Sequence, residues 1–179
     1  MNATPALDIA LLKIVPLPSD SAFAGFSSGE RAIDRNLTQC CAWHKCYRSR
    51  VFCAYLASDP YLYGFYCLGL HAHRADAIDG FFERASDDVR NFVPFIYLNF
   101  LAVRQEWQRR KIGTMLLMNA LEKCSGVIQR IGAYGVALNA LNDVSAALYD
   151  KYGFKAKKPM RRCPLMVLPA QSILDLFPT

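Results

Sequence analysis

The sequence contains no run of about 20 uninterrupted apolar residues, and Met1–Ala10 lacks both the charged start and the apolar stretch of a secretory signal. Those absences argue against a membrane span and predict a cytoplasmic protein. The seven cysteines (Cys40, Cys41, Cys46, Cys53, Cys67, Cys124, Cys163) include no C-x-x-C pair, so nothing signals a zinc ribbon or a dithiol redox motif. They lie mainly in apolar segments and read as buried, reduced thiols. Cys41, His44 and Cys46 lack a second ligand pair and fall on a helical pattern, so no metal is expected. No repeat, linker or low-complexity segment divides the chain. With 179 residues and 53% hydrophobic content it is expected to form one domain, 1–179, with a sizeable core. Nor does any residue present itself as a general base; His71 and His73, after the apolar run Tyr63–Leu70, are the candidates for a substrate groove.

What is present is a strand, a basic loop and a helix start. Tyr97–Val103 is apolar, Arg104–Lys111 is polar and cationic, and Ile112-Gly113-Thr114-Met115-Leu116-Leu117 opens an amphipathic helix. The first amides of a helix have no internal partner and sit at the positive end of its dipole. A loop delivering N–H groups there, reinforced by Arg109, Arg110 and Lys111, suits a phosphate or pyrophosphate.

Around that unit the pattern predicts a strand near Leu7–Val15 and a helix over about Gly29–Cys46, with Ile33, Leu37, Cys40, Cys41 and His44 recurring at three and four. Strands Arg50–Ala57 and Tyr61–His71 follow, joined by the turn Ser58-Asp59-Pro60. A polar excursion, Arg74–Asn91 with a short helix near Asp87–Asn91, precedes a strand Phe92–Val103 and a main helix Ile112–Gln129. Then come a strand near Ala133–Leu138, a helix capped by Asn142 or Asp143 and stopped by Gly153, a strand from Phe154, and a last strand Pro164–Leu168 before a short tail.

Leu101-Ala102-Val103, Gln108, Gly113 and Leu116-Leu117 resemble the acetyl-CoA motif of the GNAT acyltransferase superfamily, in which Leu-Ala-Val is followed by Gln-x-x-Gly-x-Gly and a Leu-Leu helix. Asn139–Phe154, with its Leu148-Tyr149 pair and Gly153-Phe154, resembles the segment that closes that site. The predicted order β-α-β-β-β-α-β-α-β agrees with the GNAT fold: a mixed central sheet flanked by helices, an α/β (α+β) architecture with a splayed strand pair at the acetyl-CoA site. The resemblance implies acetyl-CoA as cofactor, bound by Leu101, Ala102, Val103, Gln108, Arg109, Arg110, Lys111, Ile112, Gly113, Thr114 and Asn142. It also implies that Tyr149 stands beside the thioester sulfur as proton donor. Where many members carry glycine this sequence has Arg109 and Lys111; Lys111 is expected to keep an ordinary helical conformation, leaving Gly113 as the position where only hydrogen fits against the phosphates.

Phe26-Ser27-Ser28-Gly29-Glu30-Arg31-Ala32-Ile33-Asp34-Arg35-Asn36-Leu37 and the Gly64-Phe65-Tyr66-Cys67-Leu68 strand are similar to the GNAT toxins of bacterial toxin–antitoxin pairs. That resemblance implies acetylation of the α-amino group of an aminoacyl-tRNA, a homodimer, and an antitoxin of ribbon-helix-helix type. The net charge of +6 suits an RNA partner, with Lys45, Arg48, Arg50, Lys151, Lys155, Lys157 and Lys158, the loop Arg104–Lys111, and Arg161 and Arg162 as its basic face. An α-amino group titrates near pH ~7.7–8.0 and so needs positioning more than a base. Two alternatives stand beside the toxin: an acetyltransferase of a small amine or protein N-terminus, and a CoA-binding regulatory module without catalysis.

Overall fold

The computed structural model describes residues 8–57, 59–74, 92–157 and 163–178. The short helix expected near Asp87–Asn91 lies outside them, as do Lys158, Arg161 and Arg162. The described elements are β1 (Leu12–Pro16), α1 (Arg31–Asp34), α2 (Leu37–Lys45), β2 (Ser49–Leu56), β3 (Asp59–Arg74), β4 (Phe92–Val103), α3 (Ile112–Ile131), β5 (Gly135–Asn139), α4 (Asp143–Lys151), β6 (Lys155–Lys157), β7 (Leu165–Pro169) and α5 (Ala170–Leu176). Seven strands form one mixed sheet in the order β1-β2-β3-β4-β5-β7-β6. The β4–β5 pair is parallel, whereas β1–β2, β5–β7 and β6–β7 are antiparallel.

Three elements depart from the sequence reading. The N-terminal strand is shorter than expected, because the Asp8 carboxylate accepts a hydrogen bond from the Ala10 amide at 3.0 Å and caps a 3-10 turn over Ile9–Leu11. The single helix expected over Gly29–Cys46 is two, α1 and α2. Between them Asn36 turns to φ −102°, ψ 4° while its side-chain amide donates to the Ala32 carbonyl at 2.7 Å, a local bond that competes with helix continuation. The C-terminal tail forms α5, whose Ile173 is buried.

By its internal contacts the chain divides into two compact units, Met1–Cys67 with Phe100–Asn119, and Leu68–Asn99 with Ala120–Thr179. The first has a core in which Phe23, Phe26 and Phe65 meet edge to face, packed with Cys40, Cys41, Val51, Cys53, Cys67 and Ala102. Gly64 is required there: a Cβ would stand 2.7 Å from the Ala102 carbonyl oxygen. In the second unit Val93, Phe95, Tyr97, Ala137 and Val167 are buried together. Five of the seven cysteines, including Cys124, are buried. Among the described residues no helix is long and apolar enough to cross a membrane.

Candidate active site

Strand β4 delivers the chain to the basic loop, and the first unit fixes that loop at several points. Arg104, counted from sequence among the solvent-facing cations, is instead buried at 7% exposure. Its Nε donates to the Leu62 carbonyl at 2.8 Å and its Nη1 to the Gly25 carbonyl at 2.6 Å, with Tyr61 under the guanidinium at 4.1 Å. It ties three segments together and does not reach for phosphate. Trp107 is buried against Tyr63, and Arg110 lies over its ring at 4.7 Å.

Gln108, expected to touch the cofactor, spends its side-chain N–H groups on the protein: Nε2 donates to the Ser28 carbonyl at 2.8 Å and to the Val103 carbonyl at 3.1 Å. The Gln105 amide donates to the Ser27 carbonyl at 3.0 Å. Segment 27–29 is held in turn by Asp34, whose carboxylate accepts from Ser27 Oγ at 2.8 Å and from the Ser28 amide and hydroxyl at 2.9 and 2.6 Å. Burial raises the Asp34 pKa, but these hydrogen bonds outweigh it and hold the carboxyl below its ordinary value. The chain Asp34, Ser28, Gln108 braces the basic loop from behind. Sequence reasoning recognised the motif containing it and missed the brace, because its members touch only in three dimensions.

Lys111 does not keep a helical conformation. It stands at φ 64° and Arg109 at φ 59°, so both cations occupy the left-handed region where glycine is usual. The loop geometry overrides side-chain preference here at a cost of roughly 1–2 kcal/mol per residue. Left-handed residues at alternate positions turn amides toward one side, the backbone arrangement of an anion-binding concavity. Helix α3 begins behind it with the Met115 amide bonding back to the Lys111 carbonyl at 3.0 Å, so the amides of Ile112 and Gly113 lie at its positive end. A Cβ on Gly113 would meet only Val103 Cγ2, at 3.6 Å. The protein leaves room for alanine, so any demand for glycine comes from what is bound. Leu101, Ala102, Val103, Gln108, Arg109, Arg110, Lys111, Ile112, Gly113 and Thr114 are thus brought together as one strand end, loop and helix start.

In the second unit Asn142 caps α4: its side chain accepts from the Ser145 amide at 2.9 Å while the Asn142 amide donates to Ser145 Oγ at 3.1 Å. The helix closes with the Phe154 amide bonded to the Tyr149 carbonyl and the Gly153 amide to the Asp150 carbonyl, with Gly153 at φ 88°. Phe154 also meets the Tyr149 ring edge-on at 5.6 Å. Tyr149 is buried, and burial pushes its hydroxyl up to about 12. A phenol so held keeps its proton at physiological pH. His71 and His73 both stack on Tyr97, at 4.4 and 5.6 Å, and the Tyr97 hydroxyl donates to Asn139. Burial and the neighbouring His71 lower the His73 pKa, keeping that ring neutral.

The basic residues are unequal. Lys45 is paired with Asp20, and Lys155 with Asp150 at 3.0 Å. Arg48 and Arg50 lie over aromatic rings, and Lys151 is exposed. His44 is a structural residue whose Nδ1 accepts from the Val51 amide at 3.0 Å. Among the described residues no three His, Cys, Asp or Glu side chains gather where a metal could be held.

A model of the acetyltransferase (GNAT) domain matches residues 48–156. The chain is 36% identical over 133 residues to a tRNA-acetylating toxin of Mycobacterium tuberculosis (strain ATCC 25618 / H37Rv), covering 73% of this chain and 76% of the relative. Among solved structures, a tyrosine-to-phenylalanine mutant of KacT superposes with a TM-score of 0.80 at 23% identity, over 93% of this chain and 99% of that one. AtaT complexed with acetyl-methionyl-tRNAfMet gives 0.79 at 22%, over 93% and 99%. A mutant AtaT bound to the C-terminus of the antitoxin AtaR and acetyl-CoA gives 0.73 at 23%, over 94% and 99%. At these identities the structural likeness shows a shared fold.

Proposed function

From the premise that this chain belongs to the GNAT acetyltransferase family, we propose that it transfers the acetyl group of acetyl-CoA to the α-amino group of an aminoacyl-tRNA, acting as a toxin that blocks translation. The observation that carries this reading is the identity shared with the mycobacterial tRNA-acetylating toxin over most of both chains. The loop supports the donor. Two left-handed cations, a helix N-terminus and room beside Gly113 fit the phosphates of CoA.

Acetyl-CoA, when bound, supplies an activated acyl group on a thiol that must leave. Tyr149, with its pKa raised to about 12, donates a hydrogen bond or proton to the departing sulfur. The backbone of Leu101–Val103 binds the pantetheine arm and offers an N–H to the thioester oxygen. Arg109, Arg110, Lys111 and the amides from Ile112 to Thr114 hold the pyrophosphate, Gln108 orients that loop, and Asn142 orders the start of the Tyr149 helix. The acceptor needs no strong base, since an α-amino group near pH ~8 is already partly neutral at physiological pH. The glycine-like backbone of Arg109 and Lys111 removes the replaced glycines as a reason to favour a CoA-binding module without catalysis.

The whole chain works, in this reading, as one acetyltransferase domain in the cytoplasm, forms a homodimer, and is neutralised by a ribbon-helix-helix antitoxin. Incubation with labelled acetyl-CoA and a pool of charged tRNA, followed by mass analysis of released aminoacyl-adenosines, tests it. Acetylated species formed by the wild type, and reduced roughly 100- to 10,000-fold by Tyr149→Phe at unchanged acetyl-CoA affinity, are expected. Unmodified tRNA with acetylation of peptides or small amines would move the acceptor elsewhere.

A further inference from the structure

Helix α2 ends on a residue that the proposed reaction leaves without a role. Tyr47 follows the cap Cys46 at φ 60°, the position beyond a helix where glycine is the usual occupant. A tyrosine there strains the backbone, and this one joins no apolar core to offset it, being 81% exposed.

Its neighbours are cationic and flat. The Arg50 guanidinium lies 5.3 Å from the Tyr47 ring, and that of Arg48 lies 5.1 Å from the ring of Trp43, which stacks on Phe100 at 6.3 Å. Aromatic and guanidinium planes side by side are what unpaired nucleobases stack on, with the same charges in reach of the flanking phosphates. Packing cannot explain the ring, and its cationic frame favours a polyanion over an apolar partner.

We propose that Tyr47, framed by Arg48 and Arg50, is a stacking platform for an unpaired base of the tRNA 3′ end. This rests on the aminoacyl-tRNA reading and adds to it the element that reads the single-stranded tail. Arg48 and Arg50 supply phosphate contacts, and Tyr47 supplies the preference for an unpaired base.

The test titrates the purified full chain with two fluorescent RNA hairpins of one acceptor-stem sequence, one with a short unpaired 3′ tail and one blunt. Tyr47→Gly relieves the strain and should melt at or above the wild-type temperature. It should bind the tailed hairpin about 5- to 150-fold more weakly, the range one stacked base supplies, and the blunt hairpin equally well. Tyr47→Phe should keep most of the tailed affinity. Arg50→Ala should instead weaken both hairpins and flatten the salt dependence by about one unit of slope. Undiminished binding of the tailed hairpin by Tyr47→Gly overturns the platform, as does an equal loss on both hairpins. So does an unchanged RNA affinity accompanied by lost self-association or lost antitoxin binding, which would make this a protein-facing surface. A wild type that neither binds RNA nor acetylates charged tRNA defeats the underlying reading as well. If the wild type acetylates tRNA and Tyr47→Gly matches it, only the platform falls.

Discussion

Gly113 and its neighbours separate what the fold needs from what a ligand needs. Alanine at 113 meets only Val103 at 3.6 Å and improves helix propensity, so Gly113→Ala should raise stability by up to about 1 kcal/mol. Acetyl-CoA affinity, measured by calorimetry, should fall all the same; unchanged affinity would show that no phosphate approaches this backbone. Arg109→Gly and Lys111→Gly should each stabilise by a comparable amount through relief of φ 59° and φ 64°, and weaken acetyl-CoA binding by removing a cation. Thermal melting beside calorimetry checks both halves. These backbone angles were illegible in the sequence, which showed only that two cations replace glycines; the reading that Lys111 would escape the left-handed region failed because the closure of the loop decides the dihedral. The place of Tyr149 in the helix that Gly153 stops was legible from its motif. Its retained proton was not, since that depends on burial. With its pKa pushed up to about 12, turnover should climb with pH as the acceptor amine loses its proton and show no falling limb from this tyrosine below pH ~10; a falling limb below that pH that persists in Tyr149→Phe would assign the proton donor to another group.

At the level of elements, the loop between β4 and α3 stands on a brace that begins at Asp34. Because the folded carboxyl titrates below its ordinary value of 3.8, its contribution to stability is fully present above that pH and lost as pH falls through the lower folded value. Asp34→Asn should therefore melt below wild type at pH 6, and the difference should shrink and then vanish as pH falls through the folded carboxyl's lowered value. Acetyl-CoA affinity should weaken in the same variant, although Asp34 holds segment 27–29 and not the loop itself, because Ser28 is the acceptor for Gln108. Strands and long helices were legible: β4 ends where the apolar run ends, and α3 begins at Ile112. The break at Asn36 was not, because helical periodicity continues across it and only a side-chain bond to Ala32 marks the interruption.

For the molecule as a whole, the formal charge of +6 overstates what RNA meets. Lys45 and Lys155 are engaged by Asp20 and Asp150, and Arg104 is buried among carbonyls. Asp20→Asn and Asp150→Asn should each release a cation, tighten tRNA binding at low salt, and steepen the log–log salt dependence by up to about 0.9. Equal slopes before and after would place these lysines outside the RNA footprint. Family and fold were legible because the two motif segments keep their order and spacing. Charge distribution was not, since a sequence lists cations without their partners.

The turn that ends α4 bears on inheritance. Tyr149 accepts the Phe154 amide through its backbone and leans on Phe154 through its ring, and phenylalanine satisfies both demands. A single-base change in a tyrosine codon removes the hydroxyl and nothing else. Under the proposed role of Tyr149, lineages under pressure to silence such a gene thus have a short route to a far slower protein that still folds and reverts by the same step.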